Sequence, residues 1–128
     1  MRLLVDGHTV LWAVDDASCL STAAAAALQD PANQLLIGAG TIWELAIKVS
    51  LGKLTLSLPF RQWMDKAIGD LRLLILPITV EHADRQASLP FHHRDPFDRL
   101  LVAQALVESI GIVSSDSQLD AYGATRVW

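Results

Sequence analysis

The segment that decides the fold is HHRDPFDRLLVAQA, residues 92–105, which changes from charged residues to an apolar run just after one proline. Asp95 followed by Pro96 is typical of a helix start, with the aspartate as N-cap and the proline at the first helical position, where its missing N–H costs nothing. Asp98 then falls in the first turn, near the positive end of the helix dipole. The sequence predicts a central helix from Pro96 to about Ser109, and helix capping alone would explain both aspartates.

The rest of the chain alternates short apolar runs with helical patterns, which predicts buried strands joined by helices. Strands are predicted at residues 3–5, 34–38, 71–76, 112–114 and 126–128. Helical or apolar segments are predicted at residues 9–14, 22–29, 41–51, 60–68, 79–89 and 117–122. We therefore expect an α/β fold, a three-layer α/β/α sandwich with a central parallel sheet, formed by one domain over residues 1–128.

Composition limits the possible classes of protein. Hydrophobic residues make up 52% of the 128 residues, but no apolar run is long enough to span a bilayer, so no membrane association is expected. No signal peptide opens the chain, and its one cysteine excludes an internal disulfide, which predicts a cytoplasmic protein. No glycine-rich phosphate loop occurs.

The net charge of −4 is unfavourable for a simple nucleic-acid binder, because affinity for phosphates normally comes from a basic surface. An acidic chain that handles nucleic acid needs a local basic rim or bound cations. Four basic residues flank the acidic positions and are candidates for such a rim, although each by itself is expected to be a solvated surface charge: Lys48, Lys53, Arg94 and Arg99.

Two aspartates follow predicted strands directly. Asp6 comes after the first strand and Asp116 after the fourth, and in open α/β sheets ligands bind beyond the carboxyl ends of the strands. Each aspartate is equally suited to cap the next helix. Glu44 also has two structural explanations, a capping box with Thr41 and an i,i+4 ion pair with Lys48.

Taken together, these segments resemble the PIN-domain nucleases, specifically the toxins of VapBC-type toxin–antitoxin pairs. The matching segments are LLVDGH (3–8), LW (11–12), IWELAIK (42–48), LGKL (51–54), HHRDPFDRLLVAQA (92–105), SD (115–116), YG (122–123) and VW (127–128). The resemblance covers essentially the full length, and the DPFDRLL and WELAIK segments are its most specific parts.

The resemblance implies an acidic catalytic and metal-binding site made of four residues: Asp6, Glu44, Asp98 and Asp116. Asp98, rather than Asp95, matches the third carboxylate of the family, because Leu-Leu-x-Ala follows it. Asp120 is at best an outer contributor. One departure is Gly7, where these toxins usually carry threonine or serine.

Such a set of hard oxygen ligands suits Mg²⁺ or Mn²⁺ and argues against zinc. The implied reaction is hydrolysis of an RNA phosphodiester, transfer RNA being a leading candidate, by metal-activated water, leaving 5′-phosphate and 3′-hydroxyl ends. The implied partners are an antitoxin, which inserts a basic residue among the carboxylates, and a second copy of the chain in a homodimer.

The other polar and aromatic candidates carry weaker expectations. His92 and His93 are adjacent and should point apart, so a surface loop or a phosphate contact is expected rather than metal ligation. The four tryptophans, Trp12, Trp43, Trp63 and Trp128, are expected to fill the core or a dimer interface.

Two alternatives remain open. One is a PIN-like domain that binds partners without cleaving RNA, which the missing hydroxyl at Gly7 would explain. The other is an Mg²⁺-binding phosphoacceptor signalling domain. That class needs an acceptor aspartate after the third strand, where Pro77 and Ile78 stand instead.

Overall fold

The computed structural model describes residues 1–128. Its central sheet has five parallel strands in the order β3-β2-β1-β4-β5. The strands are β1 (Arg2–Val5), β2 (Gln34–Gly38), β3 (Leu74–Leu76), β4 (Gly111–Val113) and β5 (Arg126–Val127). The helices are α1 (Gly7–Asp15), α2 (Thr22–Gln29), α3 (Ala39–Ser50), α4 (Phe60–Leu71), α5 (Val80–Ser88) and α6 (Pro96–Glu108), with 3₁₀ turns at Ala17–Cys19 and Ser117–Tyr122. The predicted α/β fold with a central parallel sheet is confirmed.

Both faces of the sheet are covered, as the apolar strand sequences predict. Successive side chains of a strand point to opposite faces, so Leu3 and Val5 enter one core, which includes Trp63 of α4. Leu4 enters the other, which includes Val102 of α6. None of the helices has the length and apolar character needed to cross a bilayer.

Three element boundaries differ from the sequence prediction. The third strand begins at Leu74 rather than at residue 71, because α4 continues to Leu71 and ends at Arg72 in a left-handed conformation (φ 53°). Helix α1 begins at Gly7, directly after β1, without a separate turn. Helix α3 begins two residues before Thr41, so the Thr41–Glu44 capping box predicted from the sequence is wrong.

Candidate functional site

A compact group of three polar side chains lies beyond the carboxyl ends of the central strands. His93, Asp98 and Asp116 each place one ligand atom within 4.8 Å of the others. The His93 Nε2 atom lies 3.2 Å from Asp98 Oδ2 and 3.1 Å from Asp116 Oδ2. These three side chains come from a loop, from the first turn of α6 and from the end of β4, so only the tertiary fold brings them together.

The start of α6 fixes Asp98. Asp95 is the N-cap, and its Oδ1 accepts hydrogen bonds from the backbone N–H groups of Phe97 (2.8 Å) and Asp98 (3.2 Å), with Pro96 at the first helical position. The predicted division of roles within this segment is therefore confirmed for Asp95, which caps the helix. The Asp98 side chain is left to face His93.

The segment after β4 fixes Asp116 in a similar way. Its Oδ1 accepts the N–H of Gln118 (3.0 Å) and caps the 3₁₀ turn, while its backbone N–H donates to Ser114 Oγ (3.1 Å). Its Oδ2 accepts from His93. Capping and site formation thus use different oxygens of one carboxylate.

The sequence prediction missed His93. Its ring is 15% exposed and lies among the carboxylates rather than in solvent. Two backbone contacts hold it there: the His93 N–H donates to the hydroxyl oxygen of Tyr122 (2.8 Å), and the Asp95 N–H donates to His93 Nδ1 (3.1 Å). The spacing His-x-Asp-Pro-x-Asp is the signal that could have indicated this, because the residue two before an N-cap can reach over the start of the helix.

The crowded charges change the acidity of Asp98. Its pKa is raised to about 6, mainly by burial and next by the charge of Asp95; the nearby imidazole of His93 opposes the rise, and Glu44 and Asp116 contribute to it. A carboxylate that holds its proton up to this pH sits where negative charge is unfavourable, and such perturbed groups cluster at functional sites.

Asp6 lies at the carboxyl end of β1, as predicted, and its Oδ1 accepts the Thr9 N–H (2.7 Å) as the N-cap of α1. Thr9 Oγ1 donates to the carbonyl of Val113 (3.1 Å), and the Asp6 N–H bonds the same carbonyl (3.2 Å). Asp6 is therefore anchored to Val113, the last residue of β4. Val113 lies two residues before Ser115 and three before Asp116. The Asp6 carboxylate is not part of the three-residue group.

Glu44 is also outside that group, although its charge acts on Asp98. The predicted ion pair with Lys48 is present at 3.0 Å. A Cβ atom added at Gly7 would meet only ordinary contacts, with Thr41 Cγ2 at 3.4 Å and Glu44 Oε1 at 3.8 Å. A Cβ atom is therefore accommodated at position 7, so its contacts do not explain why glycine stands there.

Arg99 is not the surface charge predicted from the sequence. It is 5% exposed, and its guanidinium donates to the carbonyls of Gln86 (3.1 Å), Leu89 (3.2 Å) and Pro90 (2.8 Å). The Phe91 ring covers it at 4.1 Å. Arg99 therefore joins α6 to the end of α5 and to the loop that leads to His93, and it cannot contribute to a basic rim.

Trp43 is 64% exposed and lies outside the core, so for this residue only the predicted position in a dimer interface remains, whereas Trp63 is fully buried in the core. Trp43 packs edge-on against Phe97, with ring centroids 6.0 Å apart. Trp12 packs against Trp128 in a half-buried position. Trp43 and Phe97 directly precede Glu44 and Asp98 in the sequence, so this aromatic pair adjoins two of the predicted site residues.

Comparison with known families gives a match over most of the chain. Residues 3–124 match the PIN domain family. Ribonuclease VapC22 of Mycobacterium tuberculosis is 28% identical over 130 residues, which cover 98% of each chain.

Three solved structures with the same fold each match nearly the whole of this chain. VapBC2 from Rickettsia felis, bound to a DNA fragment from its promoter, has a TM-score of 0.73 at 16% identity, with both chains fully covered. FitAcB from Neisseria gonorrhoeae has a TM-score of 0.62 at 17% identity, covering 97% of this chain and 95% of that one. VapBC-1 from nontypeable Haemophilus influenzae has a TM-score of 0.58 at 13% identity, covering 98% and 96%.

Proposed function

Because the chain belongs to the PIN domain family, we propose that it is a metal-dependent endoribonuclease, the toxin of a VapBC-type toxin–antitoxin pair. The observation that carries the proposal is the group formed by Asp98, Asp116 and His93 at the carboxyl edge of the parallel sheet. Two of the four carboxylates implied by the resemblance to PIN-domain nucleases, Asp98 and Asp116, lie in this group, which supports the proposal.

The side chains present fit a divalent cation with hard-ligand preferences. Asp98 and Asp116 each turn one oxygen toward His93 Nε2, and burial, together with the neighbouring carboxylate of Asp95, raises the pKa of Asp98. Carboxylate oxygens are the ligands that Mg²⁺ prefers, and Mn²⁺ accepts the same set. We assign Asp98 and Asp116 as the central ligands, with Asp6 and Glu44 completing the proposed catalytic and metal-binding set.

The protein's own part in the reaction is to orient and to bind. Asp98 and Asp116 would hold a divalent ion, which would supply a water of lowered pKa and screening of the charge of a scissile phosphate. The caps at Asp95 and Asp116 hold the reacting edge rigid, while the exposed Arg94 and Lys53 remain available for the RNA backbone. This mechanism would need no nucleophilic side chain, and its products would carry 5′-phosphate and 3′-hydroxyl ends.

The first prediction is metal dependence. Purified protein should cleave RNA, with transfer RNA as the first candidate in a screen of total RNA, when Mg²⁺ or Mn²⁺ is present, and EDTA should stop cleavage because the carboxylates alone cannot activate water. The measurement is product formation on denaturing gels, with end-labelling to identify the 5′-phosphate. Cleavage of equal rate in EDTA would contradict the metal mechanism.

A PIN-like binding or regulatory domain that does not cleave RNA is the second candidate, favoured by the absent hydroxyl at Gly7. RNA binding by gel shift, with no cleavage in either metal, would establish it. The phosphoacceptor alternative has lost its basis, because the chain belongs to the PIN domain family.

We also propose a homodimer. Four apolar side chains from the outer strand β3 to the first residue of α5 are about half exposed or more: Leu74 (49%), Ile75 (53%), Ile78 (48%) and Val80 (87%). Exposed apolar edge strands are normally covered or paired.

The second prediction concerns the antitoxin. A guanidinium of the antitoxin can pair bidentately with the carboxylates and displace the metal, so the antitoxin should inhibit cleavage. Neutralising all four carboxylates (Asp6→Asn, Glu44→Gln, Asp98→Asn, Asp116→Asn) should weaken its binding by at least about tenfold. Calorimetry measures the affinity, and light scattering gives the mass of the complex. Equal affinity for both proteins would show that no basic residue enters the site.

A further inference from the structure

His93 occupies the place where the two central carboxylates converge. Its Nε2 lies 3.1 Å from Asp116 Oδ2 and 3.2 Å from Asp98 Oδ2. An Mg²⁺ ion bound by both oxygens would have to lie about 2.1 Å from each of them, in the same small space. The His93 ring in this position and a metal ion bound by both oxygens would therefore occupy the same space.

The backbone determines which ring nitrogen carries the proton. His93 Nδ1 accepts the N–H of Asp95 at 3.1 Å, so Nδ1 must offer its lone pair, and in the neutral ring Nε2 carries the hydrogen. A metal bound at Nε2 needs the opposite arrangement, in which Nδ1–H donates to an oxygen. In this conformation Nε2 is therefore a hydrogen-bond donor to the carboxylates and not a ligand.

The ring is also held firmly. The His93 N–H donates to the Tyr122 hydroxyl (2.8 Å), which in turn lies 3.4 Å from a guanidinium nitrogen of the buried Arg99. The ring remains only 15% exposed. The loop thus presents Nε2–H to the two carboxylates.

From these contacts we propose that His93 is a positioning residue that keeps the metal-free site closed: its Nε2–H bridges Asp98 and Asp116, and a divalent cation binds only when the ring is displaced. The inference rests on the proposed metal site. It assigns to this histidine a role opposite to ligation, namely that it lowers the affinity for the ion while it preserves the geometry of the two carboxylates.

The experiment compares Mn²⁺ affinity, measured by calorimetry at pH 8, in the wild-type protein, in His93→Ala and in His92→Ala. His92 is the matched control, because it is adjacent and exposed and packs on Tyr122 rather than on the carboxylates. We expect His93→Ala to bind Mn²⁺ about tenfold more tightly, the order of effect of one hydrogen bond to a charged group, and His92→Ala to bind as the wild type does. Weaker binding by His93→Ala would make His93 a ligand, and unchanged binding would mean that the ring does not compete; either result overturns the proposal.

A second readout is the ¹⁵N spectrum of the imidazole, assigned with the His93→Ala variant. The metal-free wild-type protein should show the Nε2–H tautomer at His93, and diamagnetic Mg²⁺ should shift that signal while leaving Nε2 protonated. A change to the Nδ1–H tautomer with Mg²⁺ would indicate ligation and would overturn the proposal even if the alanine variant were poorly folded. Absence of Mn²⁺ binding to every variant would overturn both the metal site and this inference, whereas metal binding without RNA cleavage would overturn only the proposed nuclease function.

Discussion

Asp98→Asn is expected to abolish RNA cleavage, by at least about a hundredfold, while the metal-free protein becomes more stable. An amide is a poor Mg²⁺ ligand beside carboxylates, and removal of even an outer-shell partner costs about 10- to 100-fold, so loss of a ligand should cost more. At the same time the substitution removes a charge whose environment raises its pKa to about 6. Function and stability should therefore change in opposite directions.

The sign of the stability change depends on pH. The pKa of Asp98 is raised in the folded protein, so between about pH 4 and pH 6 the folded state keeps this proton while the unfolded state has lost it. The stability of the wild-type protein therefore falls as the pH rises through that range. Above pH 6 Asp98→Asn should be more stable by about 1 to 2 kcal/mol, a value reduced for partial solvent exposure, and below pH 4 the advantage should vanish.

Asp95→Asn is the matched control, one turn away in the same segment. Asparagine caps a helix about as well as aspartate, so this variant should cleave RNA and melt nearly as the wild type does. Asp95→Ala should lose roughly 1 kcal/mol of stability. The measurements are thermal melts of each variant at pH 4 and pH 7.5, with and without Mg²⁺, and a cleavage assay. If Asp98→Asn cleaves normally while Asp95→Asn is inactive, the ligand has been assigned to the wrong aspartate.

Arg99→Met is expected to cause the largest loss of stability, about 2 to 4 kcal/mol. The substitution keeps the apolar stem but leaves the carbonyls of Gln86, Leu89 and Pro90 without their donor inside the protein. Two of these carbonyls, those of Gln86 and Leu89, lie at the end of α5, the negative end of its dipole, where a cation is most favourable. A protein of this size should lose on the order of 10 °C in Tm.

Arg94→Met is the matched control for Arg99→Met. Arg94 is exposed and makes no ion pair or side-chain hydrogen bond, so its loss should change stability by less than about 0.5 kcal/mol. Arg99→Lys should be intermediate, because one ammonium group cannot reach all three carbonyls. Chemical denaturation at equilibrium distinguishes the three variants. Equal stability of Arg99→Met and Arg94→Met would show that the buried guanidinium adds nothing to the fold.

Much of the fold could be predicted because its causes are local. The apolar runs of β1 and β2 and the Asp95-Pro96 start of α6 were identified correctly, since strand burial and helix capping depend on neighbouring residues. The boundaries that failed, at residue 71 and before Thr41, are places where packing extends a helix beyond its own capping signals.

The candidate site was predictable only in part. The sequence by itself determined which carboxylates follow a strand or lie in the first turn of a helix. Because parallel strands place their carboxyl ends at one edge of the sheet, it also indicated the edge at which the site should lie. Only the tertiary structure decided that His93 lies between Asp98 and Asp116 and that Arg99 is buried. The physical reason is that both positions depend on contacts between segments distant in sequence: the hydroxyl of Tyr122 anchors the backbone of His93, and the carbonyl oxygens at the end of α5 satisfy a guanidinium that local sequence would leave in solvent.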